Sequence, residues 1–273
     1  AVPDSGSFRD RHNRVYHLGS SIVRGISEQA LANWTALSAQ PFFQEFLAAS
    51  KVVATERLPD DAPLALPAGA SPWAAYLSHE RIPFVSYPYE WPFGMLKDAA
   101  LLQLELVERA IECGWTMKDA TPYNIQWRGC RPVFIDLPSF EPYTAGDAWG
   151  GYRQFCMMYL YPLMLQAYKG VDYQPLLRGD LEGIDPQQAN RLLSGLTRLR
   201  KGVLSHVYLH AKMQARYSQA DLVEAKQLTE HAAQEMRPAQ RIHHSKAMVL
   251  GTLQGLRRTV QSLHSDESRT TWS

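Results

Sequence analysis

The beginning of the chain changes its hydrophobic period more than once. Short runs rich in β-branched and aromatic residues, Arg14-Val15-Tyr16-His17-Leu18 and Ile22-Val23-Arg24, are separated by Gly19-Ser20-Ser21 and predict a small antiparallel sheet within 7–25. Ser27 then caps a predicted helix reaching Leu37, with Glu28 in the first turn where a carboxylate favours the positive end of the dipole; a second short helix follows Pro41. Residues 51–58 alternate as a strand does, 59–72 are rich in Pro and Ala and read as a loop, and 74–77 and 83–87 read as further strands.

Beyond Tyr87-Pro88-Tyr89-Glu90-Trp91-Pro92, whose prolines resist both helix and central strand, the pattern turns helical. Over 95–113, Lys97, Asp98, Glu105, Glu108, Arg109 and Glu112 share one face at helical spacing, leaving an apolar remainder, and Gly114 is a good stop. Residues 125–127 and 132–135 predict a hairpin around Arg128-Gly129-Cys130-Arg131. The stretch 152–168 is apolar except at Arg153, Gln154, Pro162 and Gln166, and predicts a buried helix. Further helices are expected over 191–210, 218–235 and 239–264. This organisation divides the chain into a β-rich lobe (1–87), a connector (88–92), a helical lobe (93–264) and a polar tail or linker (265–273).

Composition narrows the function without naming it. A chain of 273 residues, 45% hydrophobic, can bury a substantial core. Lys plus Arg (28) nearly balances Asp plus Glu (27), so no global field draws it to nucleic acid or an anionic membrane. Cys113, Cys130 and Cys156 are widely spaced, without the paired spacing of a zinc or redox site, and read as reduced thiols. With no charged-then-apolar leader and no apolar run of spanning length, a cytoplasmic location is expected. The opening on Ala1 is expected of processing or of a segment of something longer.

The candidate chemistry lies in Lys118-Asp119-Ala120-Thr121-Pro122-Tyr123-Asn124-Ile125 and, across the predicted hairpin, Val133-Phe134-Ile135-Asp136. The hairpin would bring Asn124 and Asp136 together, and a carboxamide with a carboxylate offers the hard oxygens that magnesium prefers. These segments resemble the catalytic loop and metal-binding strand end of the protein-kinase-like superfamily, which includes aminoglycoside and choline phosphotransferases. The resemblance implies an α+β, bilobal, protein-kinase-like fold with a small β-rich N-lobe and a larger helical C-lobe. It also implies ATP and Mg2+ as cofactors, with Asp119 at the acceptor hydroxyl and Asn124 and Asp136 on the metal.

Departures from the family pattern are plain. Met117 stands where a His is usual, and Leu137-Pro138 follows Asp136, which suits the small-molecule branch better than a regulated protein kinase. No Gly-x-Gly-x-x-Gly is present; Ser5-Gly6-Ser7 or Leu18-Gly19-Ser20-Ser21 would either offer amides to phosphate or form an ordinary turn. Arg24 is the candidate for the nucleotide-phosphate cation, with Glu28 or Glu45 as partner; it reads equally as a solvated strand-end charge, and Lys51 is a rival. Glu90 and Trp91 occupy the place where this superfamily holds adenine, though aromatic packing between lobes explains them too. His231, His243 and His244 read as solvated, and neither a serine-hydrolase elbow nor a dinucleotide fingerprint occurs.

A second resemblance bears on role. The segment 87–136, with Ser86-Tyr87-Pro88-Tyr89-Glu90-Trp91 at its start and Lys118-Asp119-Ala120-Thr121-Pro122-Tyr123-Asn124 within it, looks like the uncharacterised domain that precedes class I SAM-dependent methyltransferase domains in some bacterial proteins. That resemblance implies a methyltransferase domain or partner, beginning near Thr270-Thr271-Trp272-Ser273 if fused. The leading expectation is an ATP- and magnesium-dependent phosphotransferase acting on a small molecule or sugar. The alternatives are a pseudokinase or substrate-presenting module for a methyltransferase, and a helical interaction domain in which the motif is coincidental.

Overall fold

The computed structural model describes residues 2–4, 11–19, 21–62, 64, 73–212 and 243–265. Strands β1 (Val2–Pro3), β2 (Asn13–Leu18) and β3 (Ser21–Ile26) are followed by helices α1 (Glu28–Ser38) and α2 (Pro41–Ala48), then β4 (Thr55–Arg57) and β5 (Ala75–His79). The strands form one antiparallel sheet in the order β1-β2-β3-β5-β4. Ser27 caps α1 by accepting from the Ala30 amide at 3.3 Å, one of the donors that a helix start leaves unpaired.

Strand alternation gives the sheet two different faces. Ile26, Ala75 and Leu77 share one face and pack on Ala30, Leu31 and Trp34 of α1; Arg24, level with Leu77, is on that face. Across the other face Trp73 lies over Gly25, where a Cβ would come within 2.3 Å of its ring, and its indole donates to Tyr16 Oη at 2.9 Å.

The helical part is built on α3 (Phe93–Glu112), whose apolar side is almost wholly buried. Its charged side is not simply solvated, as a polar stripe suggests. There Lys97 donates to the Gln261 and Leu263 carbonyls, Arg257 meets Glu108, and Arg109 meets Glu45, so the final helix α8 (Lys246–Gln261) and α2 dock on it. After α3 come β6 (Trp115–Met117), the hairpin β7 (Ile125–Arg128) with β8 (Arg131–Phe134), and β9 (Phe140–Pro142), which pairs with β6. Gly129 supplies the positive φ of +61° that the two-residue hairpin loop requires.

The buried apolar stretch forms as α4 (Tyr152–Phe155), a π turn (Cys156–Leu160) and α5 (Tyr161–Lys169). Pro162, at the start of α5, has no N–H to give to the turn before it, and the π turn absorbs the mismatch. Then come α6 (Gln174–Gly179) and α7 (Pro186–Leu192).

Several expected elements differ. Residues 83–87 are not a strand, because the Ser86 N–H and C=O are taken by the Gln126 side chain at 3.0 and 3.1 Å. No single helix spans 191–210: after α7, Gly195 and Gly202 take φ of +71° and +80° and interrupt it, leaving a 3₁₀ turn at Gly195–Leu199 and a separate helical stretch that opens as a π-helix at Val203–Tyr208. The expected helix over 218–235, His231 and the Ser5-Gly6-Ser7 turn lie outside the described residues. The molecule is thus of mixed helix and sheet, and among the described residues no helix is long and apolar enough to cross a membrane.

Candidate active site

The hairpin that follows the 118–124 loop is tied by backbone to the segment between α2 and β4. Val52 and Phe134 form a parallel bridge, with Val53 N–H donating to the Phe134 carbonyl and Phe134 N–H to the Lys51 carbonyl, both at 2.9 Å. Phe134 is fully buried and meets Phe140 edge-on at 5.8 Å, which fixes the end of β8. Thr121 caps the turn Pro122–Asn124 through the Tyr123 amide at 3.3 Å. The Ile135 amide then donates to the Asn124 carbonyl at 2.9 Å. These local bonds place Asn124 Nδ2 at 3.4 Å from Asp136 Oδ2.

From the sheet, Arg24 reaches the same carboxylate: its Nη1 is 3.4 Å from Asp136 Oδ1 and 2.7 Å from Asn13 Oδ1. The pair is largely withdrawn from water, with side-chain exposures of 11% for Arg24 and 25% for Asp136. Arg24, Asn124 and Asp136 therefore converge across 112 residues of chain. Glu28 and Glu45 do not take part: Glu28 is exposed on α1, and Glu45 pairs with Arg109 at 3.3 Å. Lys51 pairs with Glu105 instead.

Asp119 differs from its neighbours in being positioned by backbone alone. Its N–H donates to Ser139 Oγ at 3.2 Å, its carbonyl accepts from Gln103 Nε2 at 3.4 Å, and the next amide, Ala120, donates to Gln154 Oε1 at 2.6 Å. Its carboxylate makes no hydrogen bond or ion pair with a described residue and is only partly covered. A fixed backbone with an unengaged acid is an arrangement suited to taking a proton from something that arrives.

Glu90 and Trp91 brace the connector. The Glu90 carboxylate accepts from the Tyr87 amide at 2.7 Å. Trp91 is buried, donates its indole N–H to Ser86 Oγ at 2.9 Å, and accepts from Tyr173 Oη and Gln174 Nε2 at its carbonyl, at 2.7 and 2.9 Å. No hydrogen bond links either residue to Arg24 or Asp136. Beside the loop, Tyr87 stacks on Tyr89 at 5.4 Å and leans on Tyr123 at 6.3 Å, forming an aromatic wall. On the other flank a cavity of about 510 Å³ opens between α1, the sheet and 137–142, with Lys118, Trp34, Leu77 and Phe140 in its lining.

Sequence reasoning missed the amides that hold the loop: Gln103, Gln126 and Gln154. Each stands among apolar positions, Gln103 fully buried in α3, and a lone amide on an apolar face was the available signal.

No protein-family model matches this chain. Among curated proteins it is 34% identical, over 220 residues, to nodulation protein NoeA of Rhizobium meliloti (strain 1021); the match covers 77% of this chain and 43% of that protein, so the chain spans less than half of its relative's length. Among solved structures it aligns with the kinase domain of Mycobacterium tuberculosis PknI at 12% identity and a TM-score of 0.32, over 75% of this chain and 91% of that one. A double mutant of the same domain aligns at 11% identity and the same TM-score, over 74% of this chain and 90% of that one.

Proposed function

We propose that this chain is a bilobal, kinase-like phosphotransferase domain that uses ATP and magnesium to phosphorylate a hydroxyl of a small molecule or sugar. The observation that carries the reading is the convergence of Arg24, Asn124 and Asp136 on one point, with the unengaged Asp119 carboxylate on the same loop as Asn124. The order of parts supports it: a sheet interrupted by α1 after β3, a connector, a long helix, then the acid-bearing loop and hairpin, as kinases arrange them.

The donor set fits magnesium. Among the described residues no three His, Cys, Asp or Glu side chains converge as a protein-only metal cage would need; a single carboxylate with one carboxamide is what magnesium uses when phosphates and water complete its shell. Asn124 now turns its amide nitrogen to Asp136, and a half rotation would present the oxygen. When bound, the magnesium nucleotide supplies the phosphoryl group and the charge neutralisation. The chain's own work would be to grip phosphate oxygens with Arg24, hold the metal with Asn124 and Asp136, and orient the acceptor at Asp119, which accepts the hydroxyl proton. The connector braced by Glu90 and Trp91 would wall the base. The Tyr87, Tyr89 and Tyr123 rings offer an apolar face of the kind sugars lie on.

Purified protein incubated with magnesium ATP and a panel of sugars and amino alcohols tests the reading. Transfer that Asp119→Asn abolishes without unfolding the chain supports it; undiminished transfer by that variant removes Asp119 from the mechanism.

One observation favours a second reading. Arg24 has no carboxylate partner on α1 and instead engages Asp136 itself, the group magnesium would need. On that reading the chain is a pseudokinase or substrate-presenting module, serving a methyltransferase domain or partner. It predicts an intact fold with no transfer from ATP.

A further inference from the structure

The cavity of about 510 Å³ between α1, the sheet and 137–142 is walled by Ile26, Trp34, Leu37, Leu77 and Phe140, a size and an apolar lining that suit a small molecule. Two residues with a full charge at pH 7 also line it, Lys118 and Glu141. Both are exposed, and neither the Lys118 ammonium nor the Glu141 carboxylate makes a hydrogen bond or ion pair with a described residue. The Lys118 N–H donates to the Ser139 carbonyl at 3.0 Å, continuing the β6–β9 register in which Thr116 faces Glu141. The two charged residues therefore lie one diagonal step apart on one face, about 7–8 Å at the backbone.

An unengaged cation and an unengaged anion beside an apolar cavity suit a ligand with the same two charges in reverse and an apolar body. A carboxylate held at Lys118 by itself brings its charge towards Glu141, and an ammonium held at Glu141 by itself brings its charge towards Lys118. A ligand with both groups meets an opposite charge at each end. Two charge-assisted contacts of about 3 Å, with the short carboxylate-to-ammonium span of an α-amino acid between them, fill a gap of this width.

We propose that this cavity binds a free α-amino acid with a large apolar side chain, its carboxylate on Lys118, its ammonium on Glu141 and its side chain against Trp34 and Phe140. The cavity is separate from the proposed transfer site, because neither Asp119 nor Asp136 lines it. It backs onto that site through Asn13, whose Oδ1 accepts from Arg24 at 2.7 Å, and through Leu137 and Pro138, which follow Asp136. The inference therefore does not rest on the phosphotransferase reading.

Calorimetric titration of the whole chain with phenylalanine, leucine, glycine, phenylpropionate and phenethylamine tests this. Phenylalanine or leucine is expected to bind and glycine not to. Phenylpropionate, which lacks the ammonium, and phenethylamine, which lacks the carboxylate, should each bind at least about tenfold more weakly than the amino acid. Lys118→Met and Glu141→Gln should each cost the amino acid a similar factor, and both residues are exposed, so neither change is expected to disturb the fold. Binding of the singly charged analogues as tight as that of phenylalanine, amino-acid affinity unchanged in both variants, or no binding of phenylalanine or leucine at millimolar concentration overturns the proposal, whatever the chain does with nucleotides.

Discussion

The charges around Asp136 and those that Arg109 gathers on the back of α3 are held in opposite ways. At α3, Arg109 reaches Glu45 at 3.3 Å and Glu112 at 3.4 Å, but its side chain is 41% exposed and Glu45 60%. Such pairs contribute about 0–1 kcal/mol, because water already solvates both partners. Arg24 and Asp136, by contrast, have largely left water, with Asn13 and Asn124 beside them. Desolvating two charges often costs more than their attraction returns, so a pair of this kind is weak as a stabiliser. The difference teaches that the Arg109 pairs only dress a contact between helices, while the charges at Asp136 are kept for something else, which on the present account is a phosphate and its metal.

The largest effect expected on this comparison is catalytic. Asp119→Asn should lower turnover by roughly 10²–10⁴-fold with an unchanged circular dichroism spectrum; a comparable loss of folded protein would make Asp119 structural, like the α3 charges. Next comes the residue that joins the β7–β8 hairpin to the segment before β4. Phe134→Ala, removing a fully buried ring at the bridge to Val52, should cost about 3–5 kcal/mol in denaturant unfolding.

Acid should sharpen the contrast. His79 and His206 are held neutral by burial, with pKa pushed down to about 3 and about 4. Because the unfolded chain takes up their protons from about pH 6.5 downward, stability is complete above that pH and falls as pH drops towards the folded values, by about 1.4 kcal/mol per pH unit for each. Urea midpoints at pH 7 and pH 5 read this, and His79→Leu should reduce the difference. The smallest effect is Arg109→Ala, at most about 1 kcal/mol; a loss of several would erase the distinction between the two sets of charges.

Much of the architecture was legible because it is local. Gly129 fixes the hairpin and Ser27 the start of α1, so β2, β3, α1, α2, α3 and the β7–β8 hairpin read from sequence, as does the placement of Asn124 beside Asp136. What was not legible is non-local. The pairing of β6 with β9 joins three-residue strands that carry little pattern of their own. The Gln126 amide standing in for a strand partner at Ser86 cannot be inferred from periodicity, nor can Arg24 meeting Asp136 in place of a carboxylate on α1. The polar stripe of α3 misleads for the same reason: spacing places charges on one face but does not say whether water or another helix covers it.

The most direct measurement is thermal unfolding of the chain with and without ATP and magnesium, repeated on Asp136→Ala. A ligand at a hundred times its dissociation constant adds about 2.7 kcal/mol, enough to raise the midpoint by several degrees. The account predicts a rise that requires magnesium and that Asp136→Ala loses; no rise at millimolar ATP, or an equal rise in the variant, would contradict it.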